Sequence, residues 1–288
     1  MNKIHFFSKE TSILINNWFI MYFLSVILIG TVYPIFLEVM SDEKISIGPP
    51  FYHKLIIPFL IFFLFFMSIG PNLNWVKSKI LKIKYQLVFL FIISIFISFF
   101  ILKNIGLTNL NNTVLISAAL YLFFTTLKDF FSKKFINYSQ RLSHFSFSLL
   151  ILSILFNSIF SSEIITNIKV GENFSFEGGT IKFESLENKK VNNYQSIIGN
   201  FRIKDDQNNV TLLKPELRIY DRPNIITSEA DIKTSLFYDK FLVMNLVKGN
   251  EYFNIRYQVK YFMIWIWIST SLLALGGTLS LFRRFSEK

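Results

Sequence analysis

Six long uncharged apolar runs, at residues 11–37, 55–76, 85–102, 104–127, 142–162 and 261–282, constrain this 288-residue chain more than any other feature. A helix rises about 1.5 Å per residue, so about 20 mostly apolar residues cross a bilayer core. Each run can supply that length, the fourth least comfortably because 104–112 is polar. A mixed block at 163–260 separates the last run from the other five. The pattern predicts a polytopic α-helical membrane protein of about six transmembrane helices, with one extracytoplasmic all-β domain inserted before the last helix. Residues 1–162 read as a membrane domain of five helices, 163–260 as the β domain, and 261–288 as the final helix with a short inner tail. The first run is longer than a signal-peptide core, and Tyr33 and Pro34 stand where a small-residue cleavage site would be. It therefore reads as a retained helix.

A net charge of +11 would suit nucleic acid if it were clustered on a soluble surface. It is not. The block 163–260 holds 14 Lys/Arg against 13 Asp/Glu and is nearly neutral. The basic residues outside it alternate by side: Lys3, Lys9, Lys77, Lys79, Lys82, Lys84, Lys128, Lys133, Lys134, Arg141, Arg283, Arg284 and Lys288 on one side, and only Lys44, Lys54 and Lys103 on the other. This is a positive-inside pattern. It places both termini inside and the β domain outside, in a periplasm or intermembrane space, with lipid rather than nucleic acid as the charged partner.

There is no cysteine, so the chain can hold neither a disulfide nor a thiolate metal site and cannot do thiol chemistry itself. Heavy use of Phe, Ile, Asn and Lys suits an AT-rich genome, such as that of an organelle or a reduced bacterium.

Within 163–260, short alternating runs at 164–170, 173–176, 180–185, 196–204, 210–220, 236–247 and 252–259 are punctuated by Gly, Asn and Asp. Such spacing predicts a small sandwich or barrel. In 214–220 a period of two puts Lys214, Glu216, Arg218 and Tyr220 on one face. That face suits either partner docking or the solvated side of an edge strand. The connection 38–54 carries Gly48, Pro49, Pro50, Phe51 and Tyr52, which predicts a stiff outer loop, again either a docking element or a plain turn.

Histidine is scarce: His5, His53 and His144. His144 sits near the start of the fifth run, with Arg141 and Ser148 on the same helical side. An ionisable residue within a membrane helix points to function, and a neutral imidazole is a good haem-iron ligand. An interfacial histidine reaching the headgroups is the other reading. The final run opens on Tyr261, Phe262, Trp265 and Trp267, an interfacial aromatic belt, and Ala274-Leu275-Gly276-Gly277 permits close approach of another helix.

Taken in order, several strings resemble the C-terminal half of the CcmF-type cytochrome c haem lyases. They are Thr31-Val32-Tyr33-Pro34, Ile45 to Tyr52, Ile69-Gly70-Pro71 with Trp75, His144, Asn193-Tyr194, Lys214 to Tyr220, Thr227-Ser228-Glu229-Ala230, Arg256-Tyr257, Trp265-Ile266-Trp267, Ala274 to Gly277 and Arg283-Arg284. The resemblance implies a part in cytochrome c maturation, where haem vinyl groups are joined to the thiols of a CxxCH motif in apocytochrome c. It also implies a structural haem b with two histidine ligands, of which His144 matches one.

The family's tryptophan-rich haem-handling segment, its two outer-face histidines and the other haem b histidine have no counterpart here. The resemblance therefore implies a split subunit, unlikely to be active alone, that works with an N-terminal half of the lyase and with haem-delivery and thiol-handling maturation proteins, in a mitochondrial or bacterial inner membrane. The Met start and the closing helix fit a subunit rather than a fragment. Gly48, Pro49, Pro50, Tyr52, Glu216, Arg218 and Tyr220 are the residues expected to face the apocytochrome or a partner; no catalytic residue stands out. The competing readings are a non-catalytic assembly scaffold and a transporter component.

Overall fold

The computed structural model describes residues 8–41, 44–73, 75, 85–131, 137–247 and 251–286. His5, the lysines at 77–84 and 133–134, and residues 248–250 between the expected strand runs 236–247 and 252–259 lie outside them. The chain forms two compact units, one of residues 1–152 and 269–288, the other of 153–268.

Among the described residues, six helices are long and apolar enough to cross a membrane: α1 (Lys9–Ser41), α2 (Pro49–Ile69), α3 (Tyr85–Ile105), α4 (Leu110–Phe130), α5 (Tyr138–Phe160) and α6 (Met263–Ser286). At 33 residues α1 is about 50 Å long, well beyond the hydrocarbon core. Its span is 11% buried and exposes Trp18, Met21, Ile29 and Ile35, the surface expected against lipid.

The polar stretch at 104–112 does not enter the membrane within one helix. Lys103 and Asn104 close α3, and Asn109 caps α4 by accepting a hydrogen bond from the Asn112 N–H at 2.7 Å. The least hydropathic span, α4, is 56% buried, packed against α2 and α3. A helix walled by protein carries Thr125 and Thr126 at no lipid-facing cost, because their hydroxyls bond back to Leu122 O. Helix α6 approaches α5 through Gly276, where a Cβ would meet Ser143, so the expected close-approach motif serves that purpose at its third residue.

The stiff loop expected at 46–52 is half helix. Gly48 is the extended N-cap of α2 (φ −96°, ψ 177°), and Pro49 and Pro50 occupy the first turn. Proline fits there because that turn's N–H groups have no intrahelical partner. Tyr52 packs on α1 so closely that a Cβ on Gly30 would lie 2.7 Å from its hydroxyl.

The other unit holds ten strands: β1 (Ser162–Ile168), β2 (Asn173–Phe176), β3 (Gly179–Val191), β4 (Tyr194–Asp205), β5 (Val210–Leu213), β6 (Glu216–Tyr220), β7 (Ile225–Glu229), β8 (Asp231–Thr234), β9 (Tyr238–Leu246) and β10 (Phe253–Tyr261). One sheet runs β1-β10-β9-β8; the other runs β2-β3-β4-β6-β7, with β5 also on β4. Pairing throughout is antiparallel. Between the sheets lie Ile168, Ile181, Phe183, Phe201, Ile203, Leu213, Leu217, Leu242, Met244 and Ile255, all essentially inaccessible. Phe183 and Phe201, register partners across β3 and β4, stack at 4.2 Å.

Two expectations need correction. The run 210–220 is two strands, because Pro215 has no N–H to give the ladder. Its carbonyl instead accepts from the Gly199 N–H, and the Lys214 N–H turns to Asp231 at 2.6 Å. And β6 is no edge strand: it is paired with β4 on one side and β7 on the other.

Candidate functional site

His144 lies half-buried in α5, in the wall of a cavity of about 230 Å³. Four elements converge on it. The start of α1 brings Lys9, the end of α2 and the turn after it bring Met67, Ser68 and Pro71, the last turn of α4 brings Thr125, Thr126 and Asp129, and the start of α5 brings Asn137, Gln140, Arg141 and His144. In an alternating bundle these helix ends lie at the same end.

The polar side of α5 foreseen from residues 141, 144 and 148 faces into the bundle. Arg141 is 8% exposed and lies over the Tyr138 ring. Ser148 is fully buried, its hydroxyl 2.7 Å from that of Thr126. Phe145 packs between Phe123 and Phe130, which fixes the rotation of α5 against α4. Lys9 is held 5.0 Å above the Trp75 ring, which ties a charge at the start of α1 to the segment after α2. Among the described residues neither imidazole nitrogen of His144 is hydrogen-bonded, so both are available to a ligand.

The other candidates do not join this site. His53 is exposed in the first turn of α2, 15 residues before Ser68 and so about 22 Å along the helix. Pro49 and Pro50 are exposed, whereas Gly48 and Tyr52 are half-buried, Tyr52 against α1.

In the β domain Glu216, Arg218 and Tyr220 form part of an internally paired surface. Arg218 Nε donates to Glu216 at 3.1 Å, and its guanidinium lies 4.0 Å from Glu229 and 5.2 Å from the Tyr194 ring. Ser196 donates to the same Glu216 oxygen, and the Tyr194 and Tyr220 rings are 5.2 Å apart. Hydrogen bonding to Glu216, then to Tyr220, raises the Arg218 pKa above the usual guanidinium value. The patch is three strands wide, and its partners on β4 and β7 could not be read from β6 alone.

Sequence reasoning passed over Asp129 and Lys9. A carboxylate two residues past an uncharged apolar run was the available signal.

Residues 159–261 match the family model described as the CcmF C-terminal beta-sandwich. Over 98% of its length the chain is 25% identical to the cytochrome c-type biogenesis protein CcmF of Pseudomonas fluorescens. It is 25% identical over 96% of its length to the Escherichia coli protein of the same name, and 25% over 95% to the cytochrome c-type biogenesis protein ccl1 of Rhodobacter capsulatus. The chain spans only 44–45% of the length of these relatives. A solved structure titled cytochrome c heme lyase CcmF superposes with a TM-score of 0.73 over 95% of this chain and 46% of that one, at 19% identity, a likeness of fold. Residues 159–261 thus match the CcmF C-terminal beta-sandwich, and nearly the whole chain is similar in sequence to about 45% of the length of cytochrome c-type biogenesis proteins of that name.

Proposed function

We propose that this chain is the C-terminal part of a CcmF-type haem lyase, in which it assists attachment of haem to the CxxCH thiols of apocytochrome c and supplies His144 as one axial ligand of a structural haem b. The observation that carries the ligand reading is the cavity itself. A half-buried imidazole with unbonded ring nitrogens shares its wall with two cations, Lys9 and Arg141, and one carboxylate, Asp129, at the end of a membrane-spanning bundle.

The donor set fits haem in kind. A neutral imidazole suits the iron, Arg141 and Lys9 suit propionate carboxylates, and Met67 and Pro71 offer apolar contact. Haem, when bound, supplies a redox-active iron. The chain's own contribution is to hold the imidazole still: Phe145 locks α5 rotationally, and the Thr126–Ser148 contact locks it one turn further on. His53, about 22 Å along α2 from the cavity, is too far to be the second ligand. That ligand comes from an N-terminal partner chain, and sharing it holds the two parts together.

Thioether formation depends on bringing vinyl and thiol together in the right orientation more than on acid–base groups. A β domain outside the membrane suits that task. Its Glu216, Arg218 and Tyr220 patch, with Gly48, Pro49, Pro50 and Tyr52 at the entry to α2, would receive the apocytochrome, haem-delivery or thiol-handling proteins. The positive-inside charge pattern supports this orientation in a bacterial or mitochondrial inner membrane.

The test is a reduced-minus-oxidised visible spectrum of the chain co-purified with its N-terminal partner, as wild type and as His144→Ala. A b-type signal in the wild type that the variant loses while the complex stays assembled is the expected result. Equal signals in both, or none in either, would refute the ligand assignment and favour a non-catalytic assembly scaffold.

A further inference from the structure

A second cavity, of about 490 Å³, opens at one end of the β-sandwich. Phe176 ends β2, Asp205 ends β4, Tyr238 begins β9 and Tyr261 ends β10 there, so both sheets supply its walls. The lining holds three carboxylates, Glu177, Asp205 and Asp206, against one ammonium, that of Lys240. The ammonium is already matched. Lys240 has the inward parity of Leu242 and Met244 and is 8% exposed. It donates to Thr211 at 3.0 Å and lies 3.6 Å from Asp205 and 5.9 Å from the centre of the Tyr238 ring. A carboxylate and a ring face together thus already hold one cation in this cavity.

Glu177 and Asp206 are left over. Both are exposed, and among the described residues neither has an ion-pair partner. An acidic mouth alone would be ordinary solvated surface. The independent sign of a ligand is Tyr257. On β10 it has the inward parity of Phe253 and Ile255, is 3% exposed, and its ring lies 5.8 Å from that of Phe176. Among the described residues its hydroxyl has no hydrogen-bond partner, yet the oxygen is not sealed from open space. The space it reaches is the cavity it lines. A buried hydroxyl without a partner costs free energy that a donor entering the cavity recovers. Burial, then the Asp205 charge, raises its pKa, so it is a neutral phenol with a lone pair to offer.

Two unpaired carboxylates, ring faces and a phenol lone pair together suit a planar cation. A guanidinium forks onto carboxylate oxygens, stacks on aromatic rings and is more weakly hydrated than an ammonium. We propose that this cavity receives an arginine side chain from a basic segment of a polypeptide partner, its guanidinium taken up by Glu177, Asp206 and the Tyr257 hydroxyl. The cavity is larger than one arginine side chain, which leaves room at its mouth for the backbone that carries it. It shares no residue with the His144 cavity or with the patch of Glu216, Arg218 and Tyr220, so this binding is separable from haem ligation.

The test titrates the full chain, in a neutral detergent, into a fluorescently labelled, end-blocked pentapeptide of sequence GRGRG and reads anisotropy, with GKGKG and GQGQG peptides alongside. Saturable binding of the arginine peptide is expected, weaker for the lysine peptide and lost for the glutamine peptide. Glu177→Gln with Asp206→Asn weakens it about tenfold or more, as does Tyr257→Phe, which keeps the ring and removes one hydrogen bond to a charged group. Glu172→Gln with Glu187→Gln, which removes two exposed carboxylates elsewhere on the β domain, leaves it unchanged. An equal loss in that control pair would reduce the effect to general charge attraction and overturn the site. Equal binding by wild type and Tyr257→Phe would overturn it as well. Equal affinity for the lysine peptide, or displacement by spermidine at comparable concentration, would overturn the assignment to an arginine side chain.

Discussion

Two adjacent glycines in α6 should behave oppositely when each is replaced by alanine. At Gly276 a Cβ would lie 3.0 Å from the Ser143 backbone N and 3.3 Å from the Ser139 backbone O, besides meeting the Ser143 hydroxyl. A hydroxyl can rotate away, but the backbone of α5 cannot. Relief therefore requires the helices to part by a few tenths of an ångström, at about 1–3 kcal/mol for overpacking. At Gly277 a Cβ meets nothing within 4 Å. Alanine there gains up to about 1 kcal/mol of helix propensity. For a unit of this size, Gly276→Ala should lower the apparent melting temperature of the full chain in detergent by about 2–12 °C, with Gly277→Ala unchanged or higher, read by tryptophan fluorescence. Adding Ser143→Ala to Gly276→Ala should recover only part of the loss, since the backbone contacts persist. If Gly276→Ala melts with or above Gly277→Ala, α5 and α6 do not cross where described, and the positioning of His144, next to Ser143, falls with that crossing.

Phe201→Ala, which removes a fully buried ring stacked on Phe183, should destabilise the β domain by about 3–5 kcal/mol, seen as early proteolysis of 153–268 in the full chain. Arg218→Ala should cost less than about 1 kcal/mol, because its pairs with Glu216 and Glu229 are solvent-screened, yet lower apocytochrome capture if that patch is the docking face. Asp205 is the acid-sensitive group of the β domain. Burial alone would raise its pKa, but hydrogen bonds from Asn209 and the Lys240 charge lower it below the usual carboxylate value. A depressed folded pKa contributes stability above the unfolded value of about 3.9 and loses it as pH falls through the folded value. Asp205→Asn should therefore flatten the loss of stability below about pH 4, measured by acid titration of the unfolding midpoint.

The helices were legible because hydropathy reports on lipid exposure, and the runs at 11–37 and 85–102 are uncharged and mostly apolar. Legibility failed where a helix is walled by protein: α4 looked marginal because its polar residues face neighbours and its cap, Asn109, belongs to a turn. In the β domain, period-two patterns and Gly, Asn and Asp turns marked most strands. They missed β7 and β8, each of four or five residues with no buried apolar pattern of its own. Pro215 signalled a break that the long run at 210–220 concealed. For the site, one ionisable residue in an apolar helix singled out His144. Lys9 and Asp129 escaped notice, since each is an ordinary helix-end charge until folding brings α1, α2 and α4 to the same end of α5.

What the sequence by itself determined is the class of molecule: six apolar spans, a nearly neutral β insert, and basic residues that alternate between the connections. Those properties follow from solvation of each segment separately, which composition records. What only the tertiary structure decided is which polar groups meet. Lys9, Asp129, Arg141 and His144 come from three helices up to 135 residues apart along the chain, and Lys240, Thr211, Asp205 and Tyr257 come from both sheets. Hydrogen bonds and ion pairs act only over a few ångströms, so a site assembled from distant segments leaves no periodic trace in any of them.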